Sequence, residues 1–220
     1  MKNINGDDFT KEKSLWELYK LANRISMSKF HIFIISVSTI LLIVNSVFID
    51  KNPAHHLTEL RSWASLGFNF TIATLGSLIA GFTIFATLSK PEMMIAMMGH
   101  INKKTNMPTL KYNFMAFMKV FISFIFFTFI YLMIMMFGQP NGLISSFVKL
   151  FPHADLIKRI IVIYAYVVTG CSLIYLLLTL KTFIFNIYAI VMNSIRWEYE
   201  ISKKKDATEK TSPTTPPDQP

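Results

Sequence analysis

The chain has 220 residues, of which 52% are hydrophobic and 16% are charged, whereas soluble chains average about 45–50% and about 25%. Charged residues are almost absent from four long blocks and crowd the segments between them, which excludes an ordinary soluble domain and indicates an integral membrane protein. The formal charge of +9 would suggest nucleic-acid binding in a soluble protein, but Lys and Arg here flank the apolar blocks, so we expect no direct nucleic-acid binding.

Residues 1–29 predict a cytoplasmic amphipathic helix that lies in the membrane interface. A start near Asp8 or Thr10 would allow either side chain to cap the free amides of the first turn. Four apolar residues then recur at helical spacing, namely Leu15, Leu18, Ala22 and Ile25. Most of the cationic residues lie elsewhere on the helix. The alternative interpretation is an arm that binds a partner protein.

The first predicted membrane span covers residues 30–49, close to the ~20 residues that ~30 Å of hydrocarbon requires. Its polar exception, Asn45, lies near the end that precedes Asp50, and Asn69 lies at a similar depth in the next span. If the two helices are antiparallel neighbours, these amides would hydrogen-bond to each other, which contributes on the order of 1 kcal/mol in lipid. The alternative is that Asn45 and Asn69 line a polar path through the membrane.

The second predicted span, residues 64–88, carries a pattern of small residues within its apolar sequence. Five of them are predicted to share one face, the first three at four-residue spacing and the last two beside them: Ala73, Ser77, Gly81, Gly76 and Ala80. Small residues at this spacing let a second helix backbone come close. We expect this face to pack against other helices and to make the protein a homo-oligomer.

A short interfacial helix is predicted after the second span, because Ser89 and Glu92 form a capping-box pattern and Pro91 is tolerated in a first turn. Four methionines give this helix a flexible apolar surface that ends near Gly99. It lies in the membrane interface or, as the alternative, docks a partner. A second short helix, at the outer interface, is predicted for residues 143–151.

The third and fourth spans complete a membrane domain of residues 30–195. The third covers residues 112–137, and its Lys119 is expected to snorkel to the headgroups. The fourth covers residues 160–181 with a cytosolic extension to 195, because one helix from 160 to 195 would be about 54 Å long. The final segment, 196–220, is charged and then rich in Pro and Thr, which predicts a disordered tail.

Lys and Arg are concentrated before the first span, between the second and third spans, and after the fourth. The positive-inside rule therefore places both termini in the cytoplasm, and an even number of spans agrees. The predicted fold class is an all-α integral membrane protein with four transmembrane helices, both termini inside, and short interfacial helices.

Reaction chemistry is not evident in the sequence. Five residues with side chains that ligate metals fall in the two outer loops of this topology: His55, His56, Glu59, His153 and Asp155. No histidine pair at four-residue helical spacing accompanies them, and adjacent histidines point apart in regular structure, so we expect no metal site. The sequence has no phosphate-binding glycine loop, no nucleophile elbow and no acidic residue within the spans. We therefore expect neither an enzyme nor a cofactor.

The segment LGFNFTIATLGSLIAGFTIFATLSKPEM, residues 66–93, resembles the small multi-pass membrane effectors that accompany some bacterial retrons in anti-phage defence. The resemblance covers the second span and the start of the next helix. It implies an abortive-infection toxin of the bacterial inner membrane, released from a cytosolic regulator made of a reverse transcriptase and its RNA–DNA hybrid. A less close resemblance is to the four-span subunit of the Kiwa defence system, which works beside a DNA-binding partner.

These observations together predict a membrane effector that perturbs inner-membrane integrity when it is released from inhibition. Two alternatives remain open. One is a small oligomeric channel or transport subunit, which would give a selective flux without growth arrest. The other is a non-conducting membrane sensor or scaffold that binds a cytosolic partner.

Overall fold

The computed structural model describes residues 12–88, 90–102, 105–140 and 142–211. Its elements in chain order are α1 (Leu15–Ala22), α2 (Lys29–Val44) followed by a π-helical turn (Asn45–Ile49), α3 (Pro53–Leu88), α4 (Pro91–Gly99), the paired strands β1 (Ile101–Asn102) and β2 (Met107–Pro108), α5 (Thr109–Phe137), α6 (Leu143–Val148) and α7 (Ala154–Thr211). Within these residues, four helices are long and apolar enough to cross a membrane, namely α2, α3, α5 and α7. The prediction of an all-α protein with four transmembrane helices is confirmed.

The helix bounds differ from the predicted spans mainly at their polar ends. α3 begins at Pro53, whereas the predicted span begins at residue 64. Asn52 caps the helix, because its Oδ1 accepts a hydrogen bond from the Ala54 amide at 3.0 Å and proline is well suited to the first helical position. The loop expected between the first two spans is therefore only a short turn from Asp50 to Asn52.

The core is a three-helix bundle of α3, α5 and α7 with a seven-residue repeat. On α3 the buried positions alternate between spacings of four and three: Leu60, Ala64, Gly67, Thr71, Thr74, Leu78, Gly81 and Phe85. The facing rows recur every seven residues, with Leu110, Phe117, Phe124 and Tyr131 on α5 and Val162, Thr169, Leu176, Phe183 and Ile190 on α7. A mean spacing of 3.5 residues is typical of left-handed helix packing at a crossing angle of about 20°.

Two buried glycines lie at close approaches between helices. A Cβ atom at Gly67 would lie 2.6 Å from a ring carbon of Tyr131, which is fully buried. A Cβ atom at Gly170 would lie 2.8 Å from side-chain atoms of both Leu42 and Trp63. Glycine is therefore required sterically where α3 meets α5 and where α7 meets α2 and α3.

α2 lies at the edge of the bundle and packs against α7. Thr39 Oγ1 is 3.1 Å from Cys171 Sγ, and Asn45 Nδ2 donates a hydrogen bond to the Tyr166 hydroxyl at 3.5 Å. Asn69 is exposed on α3. The hydrogen bond predicted between Asn45 and Asn69 is not formed, because the neighbour that α2 contacts at this depth is α7.

We call residues 191–211, which follow the last buried residue of the α7 row, the projecting part of α7. The base is the end of the bundle that carries this part together with α1 and α4. α1 begins after Ser14, whose Oγ accepts a hydrogen bond at 3.2 Å from the amide three residues later. The capping residues predicted from the sequence, Asp8 and Thr10, lie outside the described residues. α1 packs against α5, and Glu12 forms an ion pair of 2.7 Å with Lys111 at this contact.

The methionine-rich helix α4 begins at Pro91 and ends at Gly99, as predicted. Ser89, the predicted cap, lies outside the described residues, and Lys90 holds the capping position without a side-chain hydrogen bond. Lys90 instead forms an ion pair of 2.7 Å with Glu198 near the end of α7. The projecting part of α7 and the segment that leads into α4 are therefore joined at the base.

α7 is one continuous helix of 58 residues, about 87 Å long at 1.5 Å per residue. The prediction of a disordered tail over residues 196–220 differs from the structure, which is helical through Thr211. Lysine, glutamate and alanine in that stretch are good helix formers, and they extend a helix that already exists. Residues 212–220 lie outside the described part of the chain.

Candidate functional site

The small residues predicted to form one packing face of α3 divide between two faces. Gly81 is buried, and a Cβ atom there would lie 2.5 Å from Ile187 and 2.9 Å from Phe183 of α7. The other four are exposed on the outer surface of the bundle: Ala73, Gly76, Ser77 and Ala80. The structure separates Gly81 from them because residues eight positions apart on an α-helix differ in direction by about 80°.

A narrow strip along the outward face of α3 is small and polar, with exposed leucine and isoleucine side chains on both sides of it. At 3.6 residues per turn, nine residues between positions 58 and 87 fall within an arc of about 80°. We call them the α3 stripe: Thr58, Ser62, Ser65, Asn69, Ala73, Gly76, Ala80, Thr83 and Thr87. All are exposed except Ser65, which is half-buried, and Ser77 lies about 40° outside the arc. The threonines and serines were missed by sequence reasoning, although their spacings of three, four and seven residues show the face.

The stripe differs from the other outward surfaces of the bundle. Outward residues of α2 are bulky and apolar, as in Phe33 and Ile40, and so suit contact with lipid tails. The stripe threonines satisfy their own hydroxyl protons, because Thr83 and Thr87 donate to backbone carbonyls one turn earlier at 3.0 and 2.9 Å. Asn69 has no hydrogen-bond partner within the described residues. An exposed amide on a membrane helix therefore faces away from its own bundle.

At the end of the bundle opposite the base, four titratable side chains gather around the turn between α2 and α3. His55 Nδ1 bonds to Asp50 Oδ2, and His55 Nε2 lies 4.0 Å from Glu59 Oε1. The hydrogen bond from His55 is the main cause that holds the pKa of Asp50 below its usual value. His56 is buried, with Nε2 2.7 Å from the Asp50 carbonyl oxygen and its ring tilted by 44° against the Tyr166 ring. These contacts hold the turn closed.

The same residues do not form a metal site in the described part of the chain, where no three histidine, cysteine or acidic side chains are placed to hold an ion. His153 and Asp155, the other two residues considered from the sequence, are exposed near the start of α7. The histidines at the turn instead make hydrogen bonds and ring contacts with their own loop and with α7.

A cavity of about 430 Å³ opens at the base between α4, α5 and α7. Methionines from α4 form one side, and amides and an indole form the other: Met93, Met97, Asn113, Asn186, Asn193 and Trp197. Trp197 Nε1 is buried and has no hydrogen-bond acceptor within the described residues. The cavity can therefore accept a small group that offers both an apolar surface and a hydrogen-bond acceptor.

Three features of the described residues can thus carry function: the α3 stripe, the turn with its two histidines, and the base with its cavity. Only the stripe spans the depth of a membrane. The chain matches no protein-family model, no curated protein and no solved structure.

Proposed function

We propose that this chain is a membrane effector that breaks the integrity of a bacterial inner membrane when several copies assemble through the α3 stripe. The observation that carries the proposal is Asn69, an amide without a partner on the outward face of a membrane helix. A polar group left unpaired in hydrocarbon costs several kcal/mol. Assembly through the stripe would give this amide a neighbouring chain or water to bond to, so the stripe favours association.

The centre of one bundle is closed to water and ions by large side chains. The largest of those that are fully buried include Tyr131, Phe85, Phe117 and Phe124. Side chains in such an interior interdigitate with few voids as large as a water molecule. A conducting path in this proposal therefore runs between copies, along the α3 stripes.

The chemistry of the stripe suits an unselective path. Its residues offer hydroxyl and amide groups and carry no formal charge. Selective channels use rings of charge or ordered carbonyl oxygens at a constriction. A path lined by the stripe would pass both cations and anions and would depolarise the membrane. The alternative of a selective channel predicts a flux of one ion without growth arrest.

The role in anti-phage defence comes from the resemblance of residues 66–93 to retron-associated effectors. In this proposal the base faces the cytoplasm with both termini, as the distribution of Lys and Arg predicts. A cytosolic regulator, by resemblance a reverse transcriptase with its RNA–DNA hybrid, would hold the base until infection. The proposed action needs no enzymatic step and no cofactor.

Two alanine-to-leucine substitutions on α3 test the proposal as a matched pair. Ala80 lies in the stripe, whereas Ala86 is exposed on the same helix about 120° away from it. The wild type, Ala80→Leu and Ala86→Leu would be expressed in bacteria with a membrane-potential dye and propidium. We expect depolarisation and dye entry with the wild type and Ala86→Leu, and at least a tenfold lower rate with Ala80→Leu.

An intact membrane potential with well-inserted wild-type protein would refute the proposed action. Equal toxicity of the two variants, with unchanged chemical cross-linking between copies, would show that the stripe is not the interface. Because both alanines are exposed, neither leucine enters the core of the single chain. A difference between the variants therefore reports on assembly and not on folding.

The second candidate function is a sensor or scaffold, which the 430 Å³ cavity and the buried indole of Trp197 at the base favour. A sensor of this kind would bind a cytosolic partner or small molecule without conducting. It predicts normal growth on expression and co-purification of a partner through the base, so the same expression experiment separates the two functions.

A further inference from the structure

A second cavity, of about 490 Å³, lies at the base between the connection from α1 to α2, α5 and the middle of α7. We call it the Lys119 cavity. Hydroxyl and amide groups line it on both sides: Ser26, Ser28, Tyr175, Thr179, Thr182 and Asn186. The cavity lies apart from the α3 stripe, so a ligand bound in it is independent of the proposed function.

Lys119 brings a positive charge into this cavity from the third turn of α5. Its Nζ donates a hydrogen bond of 2.7 Å to the backbone carbonyl of Ile25, in the connection between α1 and α2. An ammonium group has three N–H donors, and this bond uses one of them. A neutral carbonyl satisfies a donor but leaves the charge without a counter-ion.

The other described residues that line the Lys119 cavity add hydrogen-bonding groups and no carboxylate. Of the described residues that line the cavity, none is acidic, and His31 is a second nitrogen base among them. Lys181 does not line the cavity, and its Nζ lies 5.2 Å from the centre of the Phe30 ring on α2. Charged side chains inside membrane proteins are normally paired or mark the position of a ligand.

We propose that the Lys119 cavity binds a phosphate group, as carried by an anionic lipid headgroup or by a free phosphate ion. The ammonium of Lys119 supplies the charge, and the hydroxyls of the α1–α2 connection and α7 supply short hydrogen bonds to the phosphate oxygens. Basic pockets between membrane helices at the cytoplasmic surface are a recurring form of headgroup site. The bound phosphate would tie the α1–α2 connection to α5 and α7.

The test measures binding of dioleoylphosphatidylglycerol and dioleoylphosphatidylcholine to the purified full chain by native mass spectrometry. Lys119→Gln removes the charge, Lys119→Arg retains it, and Lys203→Gln removes a charge from an exposed position on α7 as the control. We expect the wild type to prefer phosphatidylglycerol by roughly fivefold, the value for one cation near an anionic headgroup. The Lys119→Gln variant should lose this preference, and the other two should keep it.

Competition with inorganic phosphate distinguishes the two sources. If millimolar phosphate displaces the lipid from the wild type, the site takes a soluble phosphate as well; if it does not, the headgroup of a lipid is the ligand. The proposal is overturned if the wild type binds both lipids equally and phosphate has no effect, a measurement that requires no variant to fold. It is also overturned if a folded Lys119→Gln chain keeps the full preference.

Discussion

Replacing Gly67 with alanine tests the close contact between α3 and α5 most directly. The added Cβ atom would lie 2.6, 2.8 and 2.9 Å from three ring carbons of Tyr131. The ring would have to move by about 1 Å to reach ordinary contact distance. Because its hydroxyl lies 2.7 Å from Ser172 Oγ, that movement also stretches a buried hydrogen bond. The methyl group is therefore expected to destabilise the bundle despite its small size.

The magnitude follows from comparison with Gly76→Ala on the same helix. A Cβ atom at Gly76 would meet nothing within 4 Å in the described structure. Both substitutions gain the same helix propensity, about 1 kcal/mol, so this contribution cancels in the difference. Overpacking costs about 1–3 kcal/mol, and a hydrogen bond between membrane helices contributes about 0.6 kcal/mol. We expect Gly67→Ala to be less stable than Gly76→Ala by roughly 2–3 kcal/mol.

The assay is equilibrium unfolding of both purified variants in mixed dodecylmaltoside and SDS micelles, followed by tryptophan fluorescence. Free energies of unfolding that agree within about 0.5 kcal/mol would refute the contact between Gly67 and the Tyr131 ring. A Tyr131→Leu background provides the control, because it removes the ring that the methyl group would strike. In that background the cost of Gly67→Ala should fall by most of its value.

Two further predictions concern the position of α2 and the turn that follows it. Thr39→Cys should form a disulfide with Cys171, since Thr39 Oγ1 and Cys171 Sγ are 3.1 Å apart. Adding Gly170→Leu should displace α2 and reduce the disulfide yield several-fold. An unchanged yield would contradict this packing. The pKa of Asp50 is lowered chiefly by its hydrogen bond from His55. The carboxylate therefore stabilises the turn at pH values above the unfolded pKa of about 3.9. This stabilisation is lost as the pH falls through the lower pKa of the folded state. The hydrogen-exchange protection of the turn amides, corrected for the intrinsic pH dependence of exchange, should therefore fall in acid for the wild type but not for Asp50→Asn. A wild-type protection that does not change with pH would contradict the assignment.

The number and type of membrane helices could be predicted from the sequence because lipid imposes a simple requirement. A spanning helix must be about 20 residues long and apolar, whatever its neighbours are. Contacts between helices are not determined in this way. Asn45 bonds to Tyr166 and not to Asn69, because its partner depends on which helices are adjacent in space.

The face of α3 that packs inside the bundle was also difficult to predict from the sequence. Buried and lipid-facing residues of a membrane helix are both apolar, so hydropathy does not distinguish them. The sequence suggested a packed face with Ala73, Ser77 and Gly81, whereas the packed face is the row that contains Gly67 and Gly81. The signal in the sequence was the repeat of large residues every seven positions, such as Phe117 and Phe124 on α5 and the corresponding row on α7.

The tail shows a different limit of sequence reasoning. A segment as charged as Ser202 to Thr211 is not expected to fold alone, because the first turn of a helix is costly to form. Here α7 supplies that first turn, and each added residue gains a hydrogen bond at little cost. Composition therefore predicts disorder for this segment in isolation, but it does not take into account that the segment continues the preceding turns of α7.

The unbroken course of α7 makes the membrane helices and the base one mechanical unit. The same helix contacts α2 near Gly170, contacts α3 near Gly81 through Phe183, and lines the cavity in the base with Trp197. A hinge would absorb a push or a twist as a local change of angle, whereas a continuous helix transmits it along its axis. A molecule that binds the end of α7 in the base can therefore displace the part of the same helix that packs against α2 and α3.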